Sequence, residues 1–377
     1  MNQKIGEIST ISTLNDDSLQ KLIKESGAIN MTSLLPSEKG FQEFFDSNVN
    51  IYNFGKDFLE SINPYQKLSN YILKKYFRAI NPETEITFVG GVNLAVFLAI
   101  ASSVMDGDSV IVFEPFTSNL KAAVELCGAR PVYIPLKGPD FKIDWCEVQR
   151  SINATTRLMV ISTPHLLTGQ TLTAEDFEEL QRLINGTKIK LVLNESMAEL
   201  GYNDHAGTSV NFYPRLCQVT YRVGSLSIPV AVAGSEIAYC IAPEQLMATY
   251  KNIHSAVAAN PNLRRAEDYI NILSAEVEGH MLADFLEKNY KKLMEALKES
   301  KFQPIRQSAG YMVMLGYKNY ADIRDVEMVE KLIVEKGVGL LPLSWFYHDR
   351  QCHRYVAMNI TLPQNEFNDA LVRLASL

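Results

Sequence analysis

Short apolar runs alternate with amphipathic stretches along the chain from about residue 86 onward. The apolar runs predict strands at Ile86–Val89, Ser109–Phe113, Val132–Ile134, Leu158–Ser162 and Lys188–Leu193. The segments between them have helical spacing, and almost wholly apolar strands separated by helices are typical of a mostly parallel sheet covered on both faces. Right-handed crossovers then place helices on the two sides of the sheet. The pattern predicts the α/β class with a doubly wound sheet.

A second, smaller unit is predicted near the C-terminus. After Pro261 apolar residues recur three and four apart to about Ser300, which indicates a long bridging helix. Beyond it, strand-like and helix-like segments alternate again. Because single cores rarely exceed about 250 residues, we expect two sub-domains, and we divide the chain into three parts. They are an N-terminal segment that packs with the small domain, a large α/β domain, and the bridging helix with a small C-terminal α/β domain, at 1–45, 46–270 and 271–377.

Charge and composition exclude several classes of protein. The chain carries 36 basic and 43 acidic side chains, a net charge of −7, and it has no basic block of the kind that neutralises phosphates. No nucleic acid partner is therefore expected. No apolar run reaches the roughly 18–20 residues of a spanning helix, and the first residues lack the apolar core of a secretory signal. A cytoplasmic protein with no membrane partner is predicted.

The cysteines and histidines offer little sign of a metal centre. The five cysteines are scattered and have no CxxC spacing, so we interpret them as reduced thiols used mostly in packing. One polar cluster contains side chains of the metal-ligating kind: His348, Asp349, Cys352 and His353. We interpret this run as a surface loop, and no metal is predicted.

Nine sequence segments together resemble one enzyme family, in its order and at its spacing. They are SGAINM at 26–31, ITFVGG at 86–91, DGDSVIVFEP at 106–115, DFKIDW at 140–145, STPHLLTG at 162–169, NES at 194–196, the stretch 224–239, YKNIH at 250–254 and GVGLLPLSWF at 337–346. The chain resembles class I/II aminotransferases of fold type I, nearest the methionine aminotransferase and kynurenine–oxoglutarate transaminase group. The resemblance implies pyridoxal phosphate chemistry and a homodimer with sites between two subunits.

The resemblance places several cofactor-binding positions, and the residues there depart from the family's pattern. Anchoring on Gly234 and Tyr239 puts Ile228 at the position of the Schiff-base lysine. Glu236 stands where the family has a cation for the phosphate, which reverses the sign of the local charge. In NESM, Asn194 replaces the aspartate opposite the pyridine nitrogen, and it cannot supply that charge. Met197 replaces the tyrosine near the ring oxygen.

Further family positions are also changed. Leu166 follows the histidine where an asparagine usually donates to the cofactor. Thr117 falls where an aromatic ring would stack on it, although a one-residue slip offers Phe116 instead. The family arginine for the substrate's carboxylate is at Ala357. Arg354, three residues earlier on the same predicted strand, would point to the other face because side chains alternate. The family's tyrosine from the neighbouring subunit is missing around Phe58–Asn63.

Some features of a binding pocket remain. Gly90, Gly91 and Val92 form a strand-to-helix turn whose amides suit an anion, or simply a tight turn that needs glycine. Ser225 and Ser227 could donate to a phosphate or satisfy the backbone. His165, which this family group often carries beside the pocket, is interpreted as structural rather than as a base. The expected vestigial pocket comprises Gly91, Val92, Thr117, Leu166, Asn194, Met197, Ser225, Ile228 and Glu236.

Three functions are compatible with these substitutions. The first is a non-catalytic or repurposed homodimer with no cofactor, which binds a small neutral or cationic ligand in the altered pocket or acts as a scaffold. The alternative is an active pyridoxal-phosphate-dependent transaminase of methionine, glutamine or aromatic amino acids, which requires another amine; Lys251, the family's lysine in YKNIH, is the candidate. The third is lysine-free chemistry on the same fold, although Ile228 offers no proton-transfer group.

Overall fold

The computed structural model of the chain describes residues 17–34, 37, 40, 63–202, 209–229, 236–274 and 276–376. Within these residues the helices are α1 (Asp17–Ser26), α2 (Pro64–Tyr76), α3 (Val92–Ala101), α4 (Ser118–Leu126), α5 (Trp145–Ser151), α6 (Ala174–Ile184), α7 (Pro214–Cys217), α8 (Glu244–Val257), α9 (Leu263–Ser274), α10 (Glu276–Ala296), α11 (Asp325–Lys336) and α12 (Gln364–Ala375). The strands are β1 (Ile29–Asn30), β2 (Ile86–Val89), β3 (Ser109–Glu114), β4 (Arg130–Pro135), β5 (Thr156–Ser162), β6 (Lys190–Asn194), β7 (Thr220–Ser225), β8 (Ala238–Ile241), β9 (Gln303–Pro304), β10 (Met312–Gly316), β11 (Val338–Gly339), β12 (Leu341–Pro342) and β13 (Tyr355–Asn359).

The largest sheet has seven strands in the order β2-β8-β7-β6-β5-β3-β4. The pairs β7-β6, β6-β5, β5-β3 and β3-β4 are parallel, and β8 is antiparallel to both of its neighbours. All five strands predicted from the apolar runs are present, within a few residues of their predicted ends. The predicted α/β class with a mostly parallel sheet is confirmed.

Both faces of this sheet are buried, as the apolar runs require. On β3, Ile111 and Phe113 pack in a core that also contains residues of the C-terminal part of the chain, whereas Val110 and Val112 pack on the other side. That second core contains residues of α3, α4 and α8. Because side chains alternate along a strand, one uninterrupted apolar run supplies both cores.

Helix α3 lies under the sheet and begins one residue after a glycine. Its sequence, VNLAVFLAIA, is apolar on almost every side, which is typical of a buried helix. Gly91 precedes it with φ 110°, a left-handed value that side chains other than glycine rarely adopt. Because β2 ends at Val89, the chain makes its turn at Gly90 and Gly91. The N-terminus of α3 is thereby fixed at one edge of the sheet.

The C-terminal part contains a separate sheet. Its four strands run antiparallel where they pair, in the order β12-β13-β10-β9. Helix α11 ends at Gly337, a left-handed C-cap whose N–H donates to the Ile333 carbonyl. Strand β1 pairs in parallel with β11, Ile29 opposite Val338, so the N-terminal residues join this part of the molecule. The domain boundaries at 45 and 270 stay predictions.

The long helical pattern after Pro261 differs from the expected single bridging helix. It forms two helices, α9 and α10, and residue 275 between them is outside the described part. Helix α9 packs on α2, with Ile270 in the same core as Leu68 and Ile72. Helix α10 puts Leu286 into the core of the C-terminal part. The two halves thus bury their apolar faces against different partners.

None of the helices described is long and apolar enough to cross a membrane.

Candidate functional site

A cavity of about 240 Å³ opens at the carboxyl ends of β3, β5, β6 and β7 and at the N-terminus of α3. Ligand sites of open α/β sheets occupy this edge. The nine residues of the expected vestigial pocket all line this one cavity. The structure therefore brings together positions that lie as far apart in the sequence as Gly91 and Glu236.

The Glu236 carboxylate lies against Gly91. A Cβ built on Gly91 would come within 2.6 Å of Glu236 Oε2, so only the missing side chain of glycine leaves room for this contact. Gly91 is the N-cap of α3, where no side chain caps the helix and the first turn has no acidic residue. The N-terminus of a helix carries a partial positive charge. Glu236 thus places an anion from the protein itself at this helix end.

Asn194 and Met197 follow β6 into the cavity wall. Asn194 is the last residue of β6, and its Oδ1 accepts a hydrogen bond from the Ser196 N–H at 3.1 Å. Met197 is only 2% exposed. Its Cε lies 2.8 Å from a Cβ built on Gly310, so the thioether packs against the C-terminal part of the chain. These two residues give the wall one amide and one apolar surface.

Ile228 and Leu166 make another part of the wall apolar. Both line the cavity and pack against the core shared with the C-terminal part. Among the described residues that line the cavity, none is a lysine or an arginine. Lys251 lies on α8, where its Nζ donates to the Glu83 carbonyl, and it does not line the cavity. The structure does not bring the candidate replacement amine to this site.

Ser225 and Ser227 line the cavity, but their hydroxyls are engaged with the backbone. The Ile228 N–H donates to Ser225 Oγ at 3.0 Å, and the Ile237 N–H donates to Ser227 Oγ at 3.2 Å. Ser227 Oγ also lies 3.4 Å from the Ile237 carbonyl, to which it donates. For Ser227 the geometry favours support of the backbone. Ser225 Oγ accepts from the backbone and lies 3.5 Å from Ser227 Oγ, and both of its considered roles stay open.

Thr117 and Phe116 both line the cavity, so the one-residue ambiguity at this position does not alter the wall. Thr117 is the N-cap of α4 and makes no side-chain capping bond. Phe116 is 8% exposed and stacks on Tyr133, with ring centroids 5.7 Å apart. Tyr133 in turn stacks on His348 at 4.0 Å. The aromatic ring at this end of β3 is therefore held by a stack that reaches the C-terminal part.

His165 is a buried, neutral histidine in the wall. Its Nδ1 accepts a hydrogen bond from the Thr168 N–H at 3.2 Å, which leaves the proton on Nε2 to be donated to the Pro115 carbonyl at 2.9 Å. Burial lowers the pKa of His165 to about 4, although the bond to Pro115 opposes this. Both nitrogens are thus committed to the backbone, and this favours the structural role over that of a base.

The position of the family arginine lies outside the cavity wall. Ala357 is fully buried in the middle of β13, opposite Met314 and Leu341, and it does not line the cavity. Arg354 was expected on the same strand, but β13 begins one residue later. Arg354 has φ 63° and its guanidinium donates to Asp322. Its direction is therefore set by a turn and not by strand alternation. Of the Phe58–Asn63 segment, residues 58–62 lie outside the described residues.

The polar cluster near residue 350 does not converge. His348 donates its backbone N–H to the Glu114 carboxylate, and its Nδ1 lies 2.9 Å from the same group. Cys352 Sγ accepts from the Asp325 N–H at 3.3 Å. The ring of His353 lies 4.3 Å from the Tyr347 ring. In the part of the chain that the structure describes, no group of three His, Cys, Asp or Glu side chains could hold a metal ion.

A buried ionic network lies directly behind the cavity wall. Arg222 and Glu195 are each 1% exposed, and Arg222 Nε donates to Glu195 Oε2 at 2.6 Å. Glu195 also accepts from the Ser209 hydroxyl and the Val210 N–H. The Arg222 guanidinium donates to the Tyr239 hydroxyl at 3.2 Å. Sequence reasoning missed this network because its members are far apart in the chain and share no local pattern.

Comparison with known proteins gives this site a family. The family model for aminotransferase class I and II matches residues 56–373. The chain belongs to this family. The methionine aminotransferase of Escherichia coli (strain K12) is 27% identical over 296 residues, 78% of this chain and 77% of its own. Kynurenine–oxoglutarate transaminase 3 of Bos taurus is 23% identical over 310 residues, 72% of this chain and 66% of its own.

The fold agrees with solved structures of the family. A crystal structure from Escherichia coli, described as having a methionine aminotransferase function, superposes with a TM-score of 0.85. It covers 96% of this chain and 97% of its own length at 24% identity. The expected membership of the class I/II aminotransferases and the expected fold type are confirmed. Because this likeness is below 25% identity, it supports the fold alone.

Two parts of the cavity wall were not expected from the sequence. Leu34, from the segment after β1, lines the cavity, and its carbonyl accepts a hydrogen bond from the Tyr311 hydroxyl at 2.9 Å. Asn93 and Asn119, near the starts of α3 and α4, also line it. Asparagines at these places have no distinctive spacing. Leu34 reaches the wall because its segment lies against Tyr311 of the C-terminal part, and the sequence does not reveal this contact.

A second cavity, of about 470 Å³, lies on the other side of His165. It shares Phe113, Ser162 and His165 with the first cavity, and Lys142 and Arg306 line it. Lys142 and Arg306 therefore line the second cavity. Among the described residues, the first cavity has no lysine or arginine in its wall.

Proposed function

We propose that this family member does not carry out lysine-dependent transamination and instead binds a small neutral or cationic ligand in the first cavity, as a homodimer. The observation that carries the proposal is the Glu236 carboxylate at Gly91, which puts a negative charge at the N-terminus of α3. The apolar Ile228 in the same wall supports it. By the family resemblance, Glu236 stands at the position of the phosphate cation and Ile228 at that of the Schiff-base lysine.

The residues of the cavity do not fit pyridoxal phosphate. That cofactor needs a lysine amine for its aldehyde, an acid at the pyridine nitrogen, and cations with backbone N–H groups for its phosphate. Here the three positions have Ile228, Asn194 and Glu236, and all of them line the cavity. The start of α3 still offers backbone amides for a phosphate, and the Glu236 carboxylate lies against Gly91 there.

The charge reversal alone would weaken phosphate binding severely. A pair of unit charges 4 Å apart interacts by about 4 kcal/mol at an effective dielectric constant of 20. A phosphate monoester carries a charge of roughly −1.5 to −2 at neutral pH, so replacing a cation by Glu236 exchanges an attraction of this size for a repulsion. Asn194 accepts a hydrogen bond from the Ser196 N–H but supplies no counter-charge for a pyridinium.

An active transaminase of amino acids is the second candidate. It is supported by the names of the relatives, which are described as methionine aminotransferase and kynurenine–oxoglutarate transaminase. It requires a lysine elsewhere to supply the amine that Ile228 lacks. Lys251 is engaged on α8, Lys142 lines the neighbouring cavity, and Lys39 and Lys56 lie outside the described residues.

A cofactor titration separates the two candidates. The purified, extensively dialysed protein is titrated with pyridoxal phosphate and followed by absorbance and by thermal shift, with the methionine aminotransferase of Escherichia coli as the positive control. We expect no saturable binding at micromolar cofactor. Tight binding with an imine absorbance would refute the proposal, and borohydride reduction followed by peptide mass spectrometry would then identify the lysine.

Restoring the lysine tests whether the whole site is altered. We expect the variant Ile228→Lys to have no measurable transamination of methionine, because Glu236 and Asn194 still oppose the cofactor. The triple variant Ile228→Lys, Glu236→Arg, Asn194→Asp should bind pyridoxal phosphate more tightly than Ile228→Lys alone. If the single variant recovers transamination, the rest of the site is intact and the proposal is wrong.

The homodimer is supported by the family resemblance. Sedimentation equilibrium of the purified protein measures it, and we expect a species of twice the chain mass of 42.3 kDa. A species of 42.3 kDa at all concentrations would contradict this part of the proposal.

A further inference from the structure

We infer that the ligand of the first cavity is a small apolar amine, bound as its ammonium ion with Glu236 as the counter-charge. This inference rests on the proposed function, because it requires the cavity to be free of pyridoxal phosphate. It goes further by choosing the cationic class of ligand and naming the residue that selects it.

The charges around the cavity carry the first step. Among the described lining residues, Glu236 is the acidic one and no lysine or arginine is present. His165 is neutral, and both of its nitrogens bond to the backbone. Among the described lining residues, a ligand carboxylate or phosphate would therefore meet the charge of the exposed Glu236 and no cation, whereas an ammonium ion would meet a counter-charge.

The end of α3 does not cancel the charge of Glu236. The partial charge at a helix N-terminus is equivalent to roughly +0.5, less than the full negative charge of a carboxylate. The helix end beside Glu236 therefore leaves excess negative charge at the cavity wall. A cation supplied by the ligand completes the pairing.

Besides the asparagines at 93, 119 and 194, much of the remaining wall is apolar and suits a small apolar body. Phe113, Val160 and Leu167 are each at most 5% exposed and line the cavity together with Ile228. The aromatic ring of Phe116 adds a surface that attracts cations as well as apolar groups. At about 240 Å³ the cavity is smaller than the roughly 300–1,000 Å³ of sites for drug-sized ligands. The ligand is therefore a compact amine.

The test uses amines and alcohols of matched shape. Isothermal titration with 2-phenylethylamine and 2-phenylethanol, and with the smaller 3-methylbutylamine and 3-methylbutanol, measures what the ammonium group contributes. We expect at least one amine to bind at least tenfold more tightly than its alcohol. Phenylalanine adds a carboxylate to 2-phenylethylamine, and 3-phenylpropionate has a carboxylate in place of the amine. Both should bind at least tenfold more weakly than 2-phenylethylamine.

Variants at position 236 assign the effect to one carboxylate. Glu236→Gln should reduce the affinity for the amine at least tenfold, to that of the alcohol, and leave the alcohol's affinity unchanged. Glu236→Asp keeps the charge and should retain part of the preference. Glu335→Gln, an exposed residue of α11 outside the cavity, is the control for loss of one negative charge and should change neither affinity.

Failure of this inference differs from failure of the proposed function. If no amine binds, or if amines and alcohols bind equally and Glu236→Gln has no effect, the inference is overturned and the cofactor-free reading stands. If the wild-type protein instead forms an imine with pyridoxal phosphate, the proposed function is overturned as well. Thermal melting of each variant establishes that it is folded before its affinity is compared.

Discussion

Asn194 and Glu195 are neighbours in the chain, yet Asn194 lines the cavity and Glu195 belongs to the buried ionic network behind its wall. Asn194 lines the cavity, and its side chain accepts one backbone N–H. Glu195 lies behind the wall and is bonded to Arg222, to the Ser209 hydroxyl and to the Val210 N–H. Glu195 is fully paired in the buried network, whereas the next residue, Asn194, gives the cavity wall an amide and no charge. Two adjacent residues can therefore serve different purposes, one the stability of the fold and the other the lining of the cavity.

The largest expected effect is for the residue of the buried network. Glu195→Gln leaves the Arg222 guanidinium buried without its counter-charge, and breaking a buried pair in this way costs about 3–5 kcal/mol of unfolding free energy. Urea denaturation at pH 7 measures it. Asp369→Asn, which breaks the exposed pair with Arg373, is the matched control and should cost about 1 kcal/mol or less. If both variants lose the same unfolding free energy, the buried pair is no more important for folding than an exposed one, and the comparison is wrong.

His165 combines the two situations, because it lines the cavity but both of its ring nitrogens bond to the backbone. Its pKa is about 4 in the folded protein and about 6.5 when unfolded. Below about pH 6.5 the unfolded chain therefore takes up a proton that the folded chain refuses. Stability present above that pH is lost as the pH falls, by about 3 kcal/mol at pH 4.

The variant His165→Gln isolates this contribution. Its amide can keep the bond to the Pro115 carbonyl but has no titrating group, so the loss of stability between pH 6.5 and 4 should be about 3 kcal/mol smaller than in the wild type. Urea unfolding at several pH values in this range measures the difference. If both proteins lose the same stability, His165 is not the buried neutral group described here.

The smallest effect is expected on the cavity side. Asn194→Ala removes one bond to the Ser196 N–H in a wall that a ligand or water can reach, and a typical bond of this kind contributes about 0.5–1.5 kcal/mol. The same urea experiment compares it directly with Glu195→Gln. If Asn194→Ala is as damaging as its neighbour, the amide has a role in folding and the cavity wall is not separable from the layer behind it.

Much of the fold could be predicted from the sequence because the signals are local. Apolar runs located five of the seven strands of the large sheet, and the capping box of Thr173 and Asp176 at the start of α6 is likewise encoded within four residues. The division of the long helix was not predictable, because the periodicity of 261–300 is continuous and only the packing partners of its halves differ.

The candidate site was predictable to a different extent. Family spacing located Ile228 and Glu236 in one cavity, since spacing is preserved where strands and turns are. Arg354 does not line the cavity, as expected, but the reason differs: its left-handed backbone precedes β13, so strand alternation does not set its direction. The contact between Glu236 and Gly91 joins residues far apart in the chain, and no one-dimensional pattern encodes it.

The pairing of β1 with β11 also sets an order of assembly. Ile29 finds its partner, Val338, only after almost the whole chain has been synthesised, and domains generally begin to fold from the N-terminal side during synthesis. Leu34, a few residues after β1, is held by the Tyr311 hydroxyl and forms part of the cavity wall. The large sheet can therefore form while this wall is still open, and the cavity becomes complete among the last events of folding.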